Sequence, residues 1–262
     1  MTEPVKFRRE QLAVEIHPDR ARMGAAAAEA AAARIRELIE REGQAKVIFA
    51  CAASQVECLT ALRSNSSIDW SRVTAFHMDE YVGMTKEHPA SFRRFLQEHL
   101  VKYVPLAAFH EIGGDAPDIE AECRRYAELL EANQPGLVIM GIGENGHIAF
   151  NDPPVCDFQD PVLIKKVELD EVCRQQQVND GAFPTLDDVP RYALTLTVPA
   201  LTRVPRAIVV VPGPTKSAAV RAALNGPIET ACPASILRRH PNATLYLDRA
   251  SAALLDEAAA HA

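Results

Sequence analysis

The feature that most constrains this chain is a pair of short apolar runs that alternate with helical patterns. The runs cover Ala45 to Ala53 and Leu137 to Ile142, and both are continuous, as expected of strands that are buried on both faces. An alanine-rich pattern from Asp19 to Glu42 precedes the first run and stops at Gly43, which predicts a long amphipathic helix. Strands that are separated by helices predict parallel βαβ units.

The same alternation continues along the rest of the chain. Strands are also predicted at Arg72 to Met78, Val162 to Leu169, Tyr192 to Val198, Arg206 to Val211 and Thr244 to Leu247. Helices are predicted from Ser54, as the capping residue, to about Arg63, and at Pro89 to Leu100, Pro117 to Asn133, Thr215 to Leu224 and from Arg249 onward. A chain of 262 residues with 48% hydrophobic residues can fill one large core. We therefore expect an α/β fold with a single domain over residues 1–262, in which a mostly parallel, doubly wound (Rossmann-like) sheet has helices on both faces.

The charge balance limits the classes of partner. The charged fraction is 24% and the formal net charge is -7, so there is no basic excess for a nucleic-acid backbone or an anionic membrane. The start, Met1 to Glu10, is polar with mixed charge, and no apolar run is long enough to span a bilayer or to act as a signal sequence. We expect a cytoplasmic protein that binds neither nucleic acid nor membrane.

Six cysteines are scattered through the chain without a CxxC pair, which fits neither a disulfide framework nor a zinc site. They are Cys51, Cys58, Cys123, Cys156, Cys173 and Cys232. We interpret them as reduced thiols that mostly serve packing. The alternative is a nucleophilic Cys156 beside the His147 segment, although spacing alone pairs no positioned base with it.

Polar residues follow two of the predicted strands, where parallel sheets place their ligand sites. The first segment is His77 to Tyr81. Its adjacent carboxylates, Asp79 and Glu80, point in different directions if the chain is extended, so at most one of them is expected to enter a shared pocket. A solvated acidic turn is the alternative interpretation of this segment taken by itself.

The second segment, Gly141 to Asp152, has three glycines around its polar residues, which lets the backbone approach a ligand closely. It contains His147, Asn145 and Asp152 within eight residues, and an imidazole oriented by a carboxylate is typical of acid–base catalysis. A histidine satisfied by the local backbone is the alternative. A metal site formed by His77, Asp79, His147 and Asp152 matches no standard ligand spacing, so no metal is predicted.

Two strings of residues together resemble the glucosamine-6-phosphate deaminase family. They are Phe76-His77-Met78-Asp79-Glu80-Tyr81-Val82-Gly83-Met84 and Gly141-Ile142-Gly143-Glu144-Asn145-Gly146-His147-Ile148-Ala149-Phe150-Asn151-Asp152-Pro153. The resemblance extends through most of the chain. It implies a cofactor-free conversion of an aldose to a ketose with loss of ammonia from an amino-sugar phosphate, in which Asp79 is the base and His147 assists opening of the sugar ring.

Four departures from the family pattern affect the site. The family commonly has Asp where this chain has Asn145, and Glu where it has Asp152. The Gly/Thr-rich phosphate loop of the family is replaced by Ala50 to Gln55, in which Ser54 and Gln55 at a helix N-terminus are still predicted to bind phosphate, together with Lys216. The family's phosphate arginine falls at Gln176 or Gln177, with Arg174 close by.

Two other functions are compatible with this resemblance. The first is a 6-phosphogluconolactonase-type hydrolase, because the wider superfamily contains such enzymes, although they typically lack the Met-Asp-Glu-Tyr string. The second is a non-catalytic sugar-phosphate sensor, against which stand the absence of a helix-turn-helix segment before Asp19 and of a basic patch. A homo-oligomer is compatible with the sequence, which does not specify the oligomeric state.

Overall fold

The elements of the computed structural model, which describes residues 3–255, follow the apolar pattern of the sequence. Within this range the strands are β1 (Val5–Arg9), β2 (Leu12–His17), β3 (Ala45–Phe49), β4 (Val73–His77), β5 (Asp79–Tyr81), β6 (Ala108–His110), β7 (Leu137–Met140), β8 (Ile164–Glu168), β9 (Tyr192–Leu196), β10 (Ala207–Val211) and β11 (Ala243–Asp248). The α-helices are α1 (Arg20–Glu42), α2 (Val56–Arg63), α3 (Phe92–His99), α4 (Ile119–Asn133), α5 (Glu171–Asn179), α6 (Val198–Thr202) and α7 (Ser217–Asn225).

Helix α1 begins and ends where its sequence predicts. The side chain of Asp19 accepts a hydrogen bond from the Arg22 N–H and so satisfies one of the free donors of the first turn. At the other end, Gly43 takes a left-handed conformation with φ 76°, and its N–H donates to the Ile39 carbonyl. The buried face is built from alanines together with Ile35 and Leu38, so the helix can lie close against the sheet.

The main sheet has the order β1-β2-β11-β10-β7-β3-β4-β6. All neighbouring pairs are parallel except β1 with β2, which form an antiparallel hairpin at one edge. One face is covered by α1, α2 and α3, and the other by α4, α6 and α7, with a separate buried apolar cluster on each side. The predicted doubly wound, mostly parallel α/β sheet is confirmed, whereas the extent of the domain over residues 1–262 stays a prediction.

A second, three-stranded sheet with the order β5-β9-β8 is antiparallel throughout. The predicted strands Val162 to Leu169 and Tyr192 to Val198 correspond to β8 and β9, which belong to this small sheet and not to the main parallel sheet. These strands leave the main sheet and cover a third apolar cluster, which contains Tyr81, Phe150 and Phe183. The small sheet pairs Asp79 with Thr195 and thereby fixes the position of the Asp79 backbone.

Two further local predictions need correction, and one feature of the main sheet was missed. Ser54 does not cap a helix, because Ala53–Gln55 form a 3-10 turn without a side-chain cap and α2 begins only at Val56. The helix predicted from Arg249 onward is not formed up to Leu255, where the chain runs through turns, and its remainder lies outside the described residues. The hairpin β1–β2 was not predicted at all.

The segments that the sequence predicts for the site lie at the carboxyl ends of strands in the main sheet. Ala50 to Gln55 follow β3, Asp79 follows β4, Gly141 to Asp152 follow β7, and Lys216 follows β10. These four strands are consecutive neighbours in the order β10-β7-β3-β4, and the chain reverses its direction of strand addition between β3 and β7. Parallel sheets bind ligands in the crevice at such a reversal. Among the described residues, no helix is both long and apolar enough to cross a membrane.

Candidate active site

A cavity of about 280 Å³ opens at the carboxyl ends of these strands. Five of the residues predicted for the site line it, namely Ser54, Gln55, Asp79, His147 and Lys216. The other two, Asn145 and Asp152, do not line the cavity but stand behind the His147 ring. The structure therefore brings together four segments that lie far apart in the sequence, those that follow β3, β4, β7 and β10.

Asp79 is buried and its carboxylate lacks a full set of partners. The side chain is 7% exposed, and its Oδ1 atom is buried without a hydrogen-bond partner in the described part of the chain. Burial, and then the nearby Glu80 charge, raise the pKa of Asp79 well above its usual range. A carboxylate that is desolvated in this way, at the wall of a cavity, is a stronger base than an exposed one.

Glu80, by contrast, serves the structure, as expected from the alternation of side chains along an extended segment. Its carboxylate accepts hydrogen bonds from the Ser91 hydroxyl (2.7 Å), from the Phe92 and Arg93 N–H groups (3.2 and 3.1 Å) and from the Arg93 guanidinium (3.3 Å). Because these donors lie at the start of α3, Glu80 ties that helix to β5. Phe92 and Phe95 of α3 then form part of the cavity wall.

His147 is held from behind by Asp152. Its Nδ1 atom lies 2.9 Å from Oδ1 of Asp152, a carboxylate that is fully buried. Burial acts to raise the pKa of Asp152, but hydrogen bonds from His147, Asn145 and the Asp170 N–H hold the pKa below its usual value. An imidazole oriented through Nδ1 presents its Nε2 atom on the opposite side of the ring.

The loop Gly141 to Asp152 needs glycine at two points to present this ring. A Cβ atom on Gly143 would lie 2.1 Å from Cε1 of His147, so no other residue leaves room for the imidazole. Gly146 has φ 85°, a conformation that side-chain-bearing residues adopt only with strain. The sequence predicts that these glycines let the backbone approach a ligand, and that stays a prediction; the group that approaches Gly143 in the structure is His147 itself.

The cavity lining includes a buried cationic side chain. Lys216 is the one lysine or arginine among the described residues that line the cavity, and its side chain is 7% exposed. Burial lowers the pKa of Lys216, while the Asp180 and Glu144 carboxylates act in the opposite direction. Ser54 also lines the cavity. Its hydroxyl accepts a hydrogen bond from the Gln55 amide, which also donates to the Val210 carbonyl.

The position of the expected arginine is taken by two glutamines. Gln176 and Gln177 both line the cavity. Gln176 accepts the Glu144 N–H (2.9 Å) and donates to Asp180 (3.3 Å), so it links the histidine loop to the end of α5. Arg174 is outside the cavity, and its guanidinium donates to the carbonyls of Leu186 and Val189.

The four residues considered as an alternative metal site, which the sequence does not favour, do not form one cluster. Among the described residues, the potential ligand atoms that come within 4.8 Å of one another belong to His147, Asp152 and Cys173, without His77 or Asp79. Burial lowers the pKa of His77 to about 3, and its Nε2 atom accepts the Ile112 N–H at 2.7 Å. Burial raises the pKa of Cys173 well above its usual range, which opposes the thiolate that a metal requires.

The cysteines have no disulfide partner among the described residues, in agreement with the expected free thiols. Cys156 is half-buried, and burial raises the pKa of its thiol to about 12. Because the thiolate is the nucleophilic form, this environment does not support the alternative of a nucleophilic Cys156.

Several residues that contact the site were not found from the sequence. Asp170 and Cys173 lie beside Asp152, Asp180 lies in the cavity wall, and the Thr195 hydroxyl accepts the Phe150 N–H. Only Asp170 carried a local signal, since Asp followed by Glu is typical of a helix start. The other three are polar residues in ordinary sequence surroundings.

Sequence comparison identifies relatives over most of the chain. The family described as glucosamine-6-phosphate isomerases/6-phosphogluconolactonase matches residues 18–164. A protein of Bacillus thuringiensis (strain Al Hakam) named glucosamine-6-phosphate deaminase is 37% identical over 233 residues, which cover 89% of this chain and 87% of the relative. A protein of Bacillus cereus (strain AH820) with the same name matches with the same identity and coverage.

Comparison with solved structures gives the same picture of the fold. A structure described as a monomeric glucosamine-6-phosphate deaminase superimposes with a TM-score of 0.85 at 28% identity, covering 92% of this chain and 99% of that one. A 6-phosphogluconolactonase from Thermotoga maritima superimposes with a TM-score of 0.73 at 18% identity, covering 90% of this chain and 99% of that one. The second likeness shows a shared fold alone.

Proposed function

The chain belongs to the glucosamine-6-phosphate isomerase/6-phosphogluconolactonase family, and we propose that it is an enzyme that converts glucosamine 6-phosphate, or a closely related amino-sugar phosphate, to fructose 6-phosphate and ammonia. The observation that carries this proposal is the buried Oδ1 atom of Asp79, which has no hydrogen-bond partner among residues 3–255 and lies at the wall of the cavity that also holds His147 and Lys216. The reaction needs a base, a proton carrier and a phosphate site, and these three residues can supply them.

His147 is proposed to act first, on the closed sugar ring. Opening of the ring moves a proton from the C1 hydroxyl to the ring oxygen, and an imidazole near neutral pH can carry it. Asp152 holds the imidazole through Nδ1, which leaves Nε2 for the sugar. Asn145 supports the same arrangement, because its amide donates to Asp152 at 3.0 Å and its Oδ1 atom accepts the His147 N–H.

Asp79 is proposed to move the proton between the two reacting carbons. The carboxylate removes the proton from C2 and delivers it to C1, while a second proton passes from the C2 amine to the C1 oxygen. The C1 aldehyde thereby becomes a hydroxymethyl group and the amine on C2 becomes an imine. Water then adds to C2, the C–N bond breaks, and ammonia leaves behind a ketone. The raised pKa of Asp79 fits this role, because a base whose pKa lies nearer the working pH transfers a proton more effectively.

The phosphate is proposed to bind to Lys216 and to the Ser54 and Gln55 segment, which line the same cavity. A hydrogen bond between charged groups is the strong kind, and burial of Lys216 increases the effect of its charge. We expect no cofactor and no metal, a cytoplasmic location and no nucleic-acid partner. A homo-oligomer stays a prediction, and the structural relative at 28% identity is described as monomeric.

The test is a coupled assay that measures ammonia and fructose 6-phosphate released from glucosamine 6-phosphate, with EDTA present. We expect both products in equal amounts and no loss of rate with EDTA. Hydrolysis of 6-phosphogluconolactone without any ammonia release from the amino sugar would instead make the protein a lactonase. Tight binding of sugar phosphates without turnover would make it a sensor.

A further inference from the structure

An aspartate at the start of α5 stands out among the aspartates that precede helices. Asp19, Asp69 and Asp118 each accept a hydrogen bond from the N–H of a residue in the helix that follows. Asp170 occupies the same position before α5, but its side chain makes no such bond. Its carboxylate is therefore available for another partner.

That partner is Asn145 of the histidine loop. Nδ2 of Asn145 donates to Oδ2 of Asp170 at 3.4 Å and to Oδ1 of Asp152 at 3.0 Å, so both hydrogens of the amide point at carboxylates. Oδ1 of Asn145 accepts the backbone N–H of His147 at 3.0 Å. These three contacts fix which way the amide faces, because its nitrogen cannot accept the His147 N–H.

Asp170 also contacts Asp152 directly, through its backbone N–H. Its N–H donates to Oδ2 of Asp152 at 3.2 Å, while Oδ1 of Asp152 holds the His147 ring. The histidine is thus backed by two carboxylates with one neutral amide between them. Without the amide, two negative charges would face each other across a half-buried space.

We propose that Asp170 is a positioning residue for His147, which acts through Asn145 and supplies a second negative charge behind the imidazole. This inference rests on the proposed function, since it assigns Asp170 to the ring-opening step. The arrangement requires one amide and two carboxylates at these three positions. It also joins the histidine loop to α5, the helix that contributes Gln176 and Gln177 to the cavity wall.

The experiment is a double-mutant cycle on Asn145→Asp and Asp170→Asn, with kcat and KM measured from pH 6 to 9. We expect Asn145→Asp alone to lower kcat about tenfold or more, because it sets three carboxylates against one another. In the Asp170→Asn background the same change should cost less than about threefold, since that pair again has one amide and two carboxylates. KM should stay unchanged in every variant, because none of these residues lines the cavity.

The control is Glu171→Gln, which removes the same charge one residue later from an exposed side chain. This variant should have wild-type kcat and should not change the cost of Asn145→Asp. Equal costs of Asn145→Asp in both backgrounds would overturn the proposal, as would a loss of kcat at a single fixed ratio over the whole pH range.

One further measurement and one replacement variant keep the result unambiguous. The thermal unfolding temperature is measured for every member of the double-mutant cycle in the absence of substrate. This measurement detects coupling between Asn145 and Asp170 even if the wild type releases no ammonia. In that case the proposed function fails and the contact remains. If Asn145→Asp does not fold, Asn145→Ser takes its place, and its cost must then also depend on Asp170.

Discussion

Asp79 and Asp152 are both buried carboxylates that follow strands of one sheet, yet their surroundings are opposite. Asp79 has a buried oxygen with no partner in the described structure, and burial raises its pKa well above the usual range. Asp152 accepts from His147, Asn145 and the Asp170 N–H, which hold its pKa below the usual value in spite of burial. The first carboxylate can take up a proton, whereas the second is kept charged.

The site can therefore contain two carboxylates with different roles, one that acts as a base and one that stays charged and orients the histidine. Where the environments of two carboxyl groups push their pKa values apart, the group with the raised pKa is the candidate for proton transfer. The group with the lowered pKa is a candidate for holding an imidazolium. Burial alone does not separate the two, since both are buried, and the number of hydrogen-bond donors does.

The largest expected effect comes from removing the base. Asp79→Asn should remain folded and lower kcat by about 10²- to 10⁴-fold, because an amide cannot accept the C2 proton. Steady-state release of ammonia and circular dichroism check the two parts of this prediction. Glu87→Gln, an exposed change a few residues later, should leave the rate unaffected. Near wild-type turnover of the Asp79 variant would break the contrast between the two carboxylates.

A smaller loss is expected at the orienting carboxylate. Asp152→Asn should lower kcat on the order of a hundredfold with little change in KM, because the imidazole loses its fixed orientation while the cavity wall stays intact. The exposed Asp157→Asn is the matched control in the same loop. If Asp152→Asn raised KM and spared kcat, the carboxylate would belong to substrate binding instead.

A change outside both regions should alter binding and leave the chemistry almost intact. Lys216→Ala should raise KM about tenfold or more with a smaller change in kcat, since a hydrogen bond to a charged group contributes about 1.5–3 kcal/mol. Lys86→Ala, at an exposed position, is the control. Unphosphorylated glucosamine should be a far poorer substrate of the wild type. An unchanged KM, with glucosamine as good a substrate, would show that the cavity does not recognise phosphate.

The smallest effect is on stability, and its pH dependence has opposite sign for the two carboxylates. The raised pKa of Asp79 means that the folded state binds its proton more tightly than the unfolded state, so its contribution to stability falls as pH rises above the ordinary carboxyl pKa. Asp79→Asn should thus gain on the order of 1 kcal/mol, or about 2–4 °C, at pH 8 and almost nothing at pH 4.

Asp152 should behave in the reverse manner. Its lowered pKa contributes stability above the unfolded-state pKa, and this contribution is lost as pH falls through the folded-state pKa. Asp152→Asn should therefore destabilise the protein most at neutral pH and least in acid. Calorimetry of the wild type and both variants from pH 4 to 8 gives, for each variant, the slope of the stability change against pH. Slopes of equal sign for the two variants would contradict the opposite pKa shifts of Asp79 and Asp152.

Local sequence signals are enough to predict the central strands and the candidate chemistry. Short apolar runs gave β3 and β7, and the Asp19 cap and the Gly43 stop gave α1, because each of these signals is local. The sequence also indicated Asp79 and His147, since polar residues directly after buried strands meet at one edge of a parallel sheet. The alternation of side chains correctly separated Glu80 from Asp79.

The surroundings of those residues depend on long-range contacts that form when the chain folds. Asp170 reaches Asn145 from the start of α5, and β9 pairs with Asp79 from more than one hundred residues away, contacts that no local pattern encodes. The pKa of a carboxyl group depends on burial and on the donors within a few ångströms, whichever part of the chain supplies them. For that reason Asp79 and Asp152 look alike in the sequence, and folding alone makes one a candidate base and the other a fixed anion.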